Sequence, residues 1–121
     1  VEILPNYFEA HNKLGITLID LNQLEDAIEH LEWAVAYKYD FYEAHNNLGV
    51  ANKKLGKSSE AAKSFEKAIE TNPNYILAIL NLGLTHKDLG QYEESSFCFE
   101  RVLAIDPNND QAKVNLEELK S

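Results

Sequence analysis

The sequence predicts an all-α, right-handed α-solenoid of stacked antiparallel helix hairpins, three complete and a fourth that ends after its first helix. Three observations predict it. The chain repeats itself every 34 residues without a gap. Each period holds two stretches with apolar residues at helical spacing. Glycine or asparagine closes the first stretch of each full unit, and proline the second stretch of units two and three, at the same register. Self-similarity at a fixed period marks folds in which each unit buries its apolar face only against its neighbours.

The register is carried by particular residues. Leu14-Gly15, Leu48-Gly49 and Leu82-Gly83 recur at the period, as do Ala10, Ala44, Ala78 and Ala112, and Phe65 with Phe99. Pro73 and Pro107 are one period apart, and Pro5 stands two periods before Pro73. The units run 8–41, 42–75 and 76–109, followed by a capping or half-repeat helix over 110–121. In the second unit Ala44, Leu48, Ala51 and Leu55 share one face of the first helix. Gly56 and Gly90 then supply the left-handed residue that ends a helix, with Asn22 in that role in unit one. The second helix gathers Ala61, Phe65, Ala68 and Ile69, or in unit three Ser95, Phe99, Val102 and Leu103.

Seven helices are expected, over 7–21, 24–38, 41–55, 58–71, 75–89, 92–105 and 109–120, with Asp40 capping the third. Leu14, Leu48, Leu82, Phe65 and Phe99 are expected in the core. Gly15, Gly49 and Gly83 each cost roughly 1 kcal/mol relative to alanine inside a helix. Their recurrence predicts close helix contact near Ala27, Ala61 and Ser95. Residues 1–7 share Glu, Pro, Asn and Tyr in register with Glu70, Pro73, Asn74 and Tyr75. They read as the tail of a preceding second helix, so the chain is expected to be a piece of a longer one.

Composition narrows the function. The chain has 121 residues, 45% of them apolar, and a net charge of −9. That charge disfavours nucleic acid and anionic membranes, whose phosphates demand a basic face. No apolar run approaches the ~20 residues of a membrane span. The single cysteine, Cys98, has no internal partner, which fits a reducing, cytoplasmic setting or simply a fold that needs no staple. His11, His30, His45 and His86 lack the ligand spacing of a metal site. Glu25, Asp26, Glu29 and Glu32 read as a solvated helix face. No catalytic constellation and no cofactor is expected.

With these residues in register, the chain resembles the tetratricopeptide repeat family. The period, the Leu-Gly pair, the small residue twelve positions on, the aromatic four further and the closing proline all match. Local departures are Tyr39 for the first closing proline, Leu31 for the first aromatic and Ser95 for a usual alanine. The resemblance implies a protein-interaction module whose first helices line a concave groove. Helical spacing then puts Asn12, Lys13 and Ile16 of unit one on that side, with Asn46, Asn47, Val50, Lys53 and Lys54 of unit two. Unit three adds Leu77, Leu80, Asn81, Leu84 and Lys87, and the last helix Asn115.

Two patterns stand out there. Asn47, Asn81 and Asn115 recur in consecutive units, each offering a donor and an acceptor to a peptide backbone. The row resembles the asparagine ladder lining the repeat superhelix of O-GlcNAc transferases. The alternative is a structural row held by helix-local hydrogen bonds. Ile16, Val50 and Leu84, with Leu77 and Leu80, make an apolar strip that suits a partner. Burial by curvature of the stack or a flanking helix is the alternative. The carboxylate clamp of the family, which grips acidic chaperone C-termini, is a poor match. Asn47 fits it, whereas Asn12, Ile16, Leu77 and Asn81 depart from its lysines, asparagine and arginine. The expected partner is an extended peptide or helix of another protein. Substrate targeting for a larger glycosyltransferase- or sulfotransferase-like enzyme, and self-association, are the alternatives.

Overall fold

The structure, a computed structural model, describes residues 7–121. The proposed tail of a preceding helix falls outside the described residues except for Tyr7, which opens the first helix. Seven helices follow in order: α1 Tyr7–Asp20, α2 Leu24–Tyr37, α3 Tyr42–Lys54, α4 Ser58–Thr71, α5 Ile76–Asp88, α6 Tyr92–Ile105 and α7 Asp110–Lys120. They meet the sequence-based spans to within one residue at each end. No strand occurs among the described residues.

Local chemistry explains the breaks. Asn22, Gly56 and Gly90 take positive φ values of 60°, 82° and 76° after α1, α3 and α5. There the backbone N–H groups of Gln23, Lys57 and Gln91 reach back to the carbonyls of Leu18, Asn52 and His86. Those bonds satisfy carbonyls that each helix end would otherwise leave open. Among the described residues only α7 has a side-chain N-cap, Asn109, whose Oδ1 accepts from the Ala112 N–H at 2.9 Å. Asp40 does not cap α3 as expected. Its carboxylate pairs with Lys38 Nζ at 3.1 Å, and Phe41 occupies the cap position.

Helices pack in sequence, α1 on α2, α3 on α4 and α5 on α6, with α2–α3, α4–α5 and α6–α7 joining successive hairpins. The odd helices also approach one another directly, α1 with α3 and α3 with α5. They therefore form the inner side of the stack. Phe65 and Phe99 are fully buried, as are Ala27, Ala61 and Ser95. A core cluster of Phe65, Ile79, Leu82, Phe99, Val102 and Leu116 links the second and third hairpins to α7. A second one holds Ala27, Leu31, Leu48 and Ala51.

Two expectations about this packing need correction. Leu14 is 42% exposed, unlike Leu48 and Leu82. Those two pack against the second helix of the hairpin before them, and no described helix stands there for Leu14. The helical glycines make room for the large residue one turn beyond the small one. A Cβ on Gly49 would sit 2.5 Å from the Phe65 ring, and one on Gly15 would sit 2.5 Å from Leu31 Cγ. For Gly83 the nearest atoms belong to Phe99, at 2.9 Å. Ser95 also touches there, its hydroxyl donating to the Gly83 carbonyl at 2.7 Å. That bond satisfies a buried hydroxyl that the usual alanine would not carry.

Candidate functional site

The inner faces of α1, α3, α5 and α7 bring the groove residues into adjacent rows. Their asparagines are joined across hairpins. Asn47 Nδ2 donates to Asn12 Oδ1 at 3.0 Å, and Asn81 Nδ2 donates to Asn46 Oδ1 at 3.0 Å. Asn12 and Asn46 are buried, while Asn47 and Asn81 are half-buried. Each step therefore ties the fifth residue of one unit to the sixth of the next. Asn12 one place more than a full period before Asn47, and Asn46 likewise before Asn81, were the sequence signal for this pairing, which a search of single rows passes over.

Leu80 stands in unit three where Asn12 and Asn46 stand in the earlier units. It is buried in the core, so it leaves the exposed apolar strip expected from sequence. Asn115 consequently has no asparagine to meet. Its Nδ2 turns to the Gln111 carbonyl at 2.8 Å, and its Oδ1 accepts from Lys87 Nζ at 3.3 Å. The row thus holds two asparagine steps and then changes chemistry. Asn47 and Asn81 each keep a carbonyl oxygen and one N–H without a protein partner among the described residues.

The rest of the groove is mixed. Ile16 and Leu77 are exposed, at 40% and 56%. Val50 and Leu84 are half-buried against the core. Lys53 pairs with Asp88 at 3.7 Å, and Lys87 with Glu118 at 2.7 Å. Both pairs cross from one inner helix to the next. Lys13 and Lys54 are exposed and make no ion pair among the described residues.

The histidines do other work. His45 is buried, and its Nε2–H donates to the Tyr39 carbonyl at 2.6 Å. Burial lowers its pKa, and the Tyr39 carbonyl opposes that shift. The Nδ1 atoms of His11 and His30 lie 3.0 Å apart, within hydrogen-bond distance, in a stack that includes Trp33 and Tyr37. Burial, then the neighbouring His30, lowers the His11 pKa. Among the described residues no group of three or more histidine, cysteine or acidic side chains is placed to hold a metal. Burial pushes the Cys98 thiol up to about 11, so it carries no thiolate at neutral pH. No described helix is long and apolar enough to cross a membrane.

Residues 12–76 and 76–109 each match a profile described as tetratricopeptide repeat. No curated protein is significantly similar in sequence. Among solved structures, the first TPR of Spaghetti (RPAP3), bound to an HSP90 peptide, superposes with a TM-score of 0.93 at 21% identity, over 99% of this chain and 95% of that one. The second TPR domain of human RPAP3, in complex with an HSP70 peptide, gives 0.87 at 28% identity, over 92% of each chain. MamA gives 0.90 at 30% identity, over 95% of this chain and 67% of that one. With the repeat matched over more than half its length, the chain belongs to the tetratricopeptide repeat family.

Proposed function

We propose that this chain is a protein-interaction module that holds an extended segment of a partner along its inner face, and that it carries no catalysis of its own. The observation that carries the reading is the pair Asn47 and Asn81. Each is fixed in place by one bond to the hairpin before it, and each retains a donor and an acceptor. A side chain so held loses little rotamer freedom on binding. Beside them Ile16 and Leu77 offer apolar contact, and Lys13 and Lys54 offer positive charge. Backbone hydrogen bonds give affinity without reading sequence, so selectivity falls to those four.

The second TPR domain of human RPAP3, in complex with an HSP70 peptide, supports a peptide as the kind of ligand. It does not supply the ligand. This chain keeps Asn47 of the clamp and departs from it at Asn12, Ile16, Leu77 and Asn81. A partner anchored by a terminal carboxylate is therefore disfavoured.

The test uses photo-crosslinking residues placed at Leu77 and Lys54 inside, and at Glu32 on α2 outside. Partner capture from the two inner sites, with Leu77→Ser and Lys54→Glu weakening binding and leaving helicity intact, is the expected result. Capture from Glu32 alone would place the site on the other side of the stack. Asn47→Ala is a poor first probe, because it also unpairs Asn12.

A further inference from the structure

A cleft of about 420 Å³ opens on the other side of the molecule. Ile69 of α4 and Phe97 of α6 flank it, and Ile79, Leu82 and Cys98 form its floor. The floor residues are buried, whereas Phe97 is 67% exposed. Glu93 and Glu94 stand on the rim.

The repeats provide an internal control. One period earlier the same positions hold His45 for Ile79, Asn52 for His86, Lys63 for Phe97 and Ser64 for Cys98. Glu60 and Lys63 there form an ion pair at 3.8 Å. Both junctions stack with the same helix register, so stacking does not require an apolar cleft. Unit three alone replaces a solvated pair with an exposed phenylalanine above an apolar floor. A large exposed apolar side chain with no packing duty costs solubility and suits a partner.

The charge around the cleft selects the partner. Glu66, Glu93 and Glu94 make no ion pair among the described residues, whereas Lys63 and Lys67 are paired with Glu60 and Glu70. Arg101 is turned to the Pro73 carbonyl at 2.8 Å. His86 also lines the cleft, with its Nδ1 held by Gln91 at 2.6 Å, so Glu66, Glu93 and Glu94 outnumber the one arginine and the rim is net acidic, on a chain whose net charge is −9. We infer that the α4–α6 cleft is a second docking site, which seats one bulky apolar side chain of a basic protein segment against Phe97 while its lysines or arginines face Glu66, Glu93 and Glu94. This surface is separate from the inner groove and does not depend on it.

A nitrogen-15 NMR titration tests it with two synthetic peptides. One carries a phenylalanine with two arginines on each side, and the other has glutamates for the arginines. The arginine peptide should shift the amides of Ile69, Leu82 and Phe97, with affinity that falls as salt rises. The glutamate peptide should shift none of them. Phe97→Lys, which restores the residue of unit two on an exposed site, should weaken binding about tenfold or more. Glu93→Gln with Glu94→Gln should flatten the salt dependence. Equal binding of both peptides, shifts confined to Asn47 and Asn81, or an unchanged affinity for the Phe97→Lys protein would each overturn the assignment. So would the absence of any shift at millimolar peptide.

Discussion

Gly49 shows how one missing methyl group sets the spacing of a hairpin. Alanine is better than glycine in a helix by roughly 1 kcal/mol, so propensity alone favours replacing it. The Phe65 ring, however, lies 2.5 Å from the place a Cβ would take and is fully buried. Overpacking of that kind costs roughly 1–3 kcal/mol, which exceeds the propensity gain. Gly49→Ala should lower the thermal midpoint, and by more than Gly83→Ala, where the nearest atoms stand at 2.9 Å. His45 sets a pH limit of a different kind. Its folded pKa lies below the ordinary 6.5, so the unfolded chain binds the proton more readily. The stability it contributes is complete above 6.5 and is lost as pH falls from there through the lower folded value. His11 acts with the same sign. Thermal midpoints should therefore drop between roughly pH 7.5 and roughly pH 5.5, and His45→Gln should shrink the drop. A midpoint flat across that range would contradict the burial of both rings.

At the scale of the helices, the ends were the most legible feature. Glycine or asparagine at a fixed register forecast the left-handed turns after α1, α3 and α5, since few other residues tolerate that conformation. Gly56→Ala should cost about 1 kcal/mol. Gly56→Asn should cost less, because Asn22 already holds φ 60° in unit one. Chemical denaturation of the two variants would show the order. The N-terminal cap of α3 was not legible, because Asp40 has two uses within reach and Lys38 takes it. The same limit applied to Leu80. Its helical spacing correctly placed it beside the groove residues, yet spacing does not tell a groove lining from a core residue. Burial there depends on how the neighbouring helices close around α5, a tertiary fact. Phe97 was visible against Lys63 in register, but only the cleft beside it gives the difference a meaning.

For the whole molecule, the two asparagine steps act as bonds between units, and their effect reaches stability as well as binding. Asn47→Ala leaves Asn12 with a buried carbonyl oxygen that has lost its donor, which costs about 1–3 kcal/mol. Asn81→Ala does the same to Asn46. Both variants should unfold at lower denaturant while retaining the helical signal of the native state beforehand. A linear stack has stability close to a sum of unit terms and nearest-neighbour couplings. Along this chain those couplings are unequal. The first two junctions each carry an amide-to-amide bond, while the junction to α7 rests on Ala112 and Leu116 and on Lys87, which reaches Asn115 and the exposed Glu118 through bonds of a charged side chain that salt screens. Amide hydrogen exchange should therefore open α7 first, earlier still in high salt, with α3 and α4 the slowest. Leu80 thereby gives the described stack a direction of melting, so that units of like shape do not open in an arbitrary order.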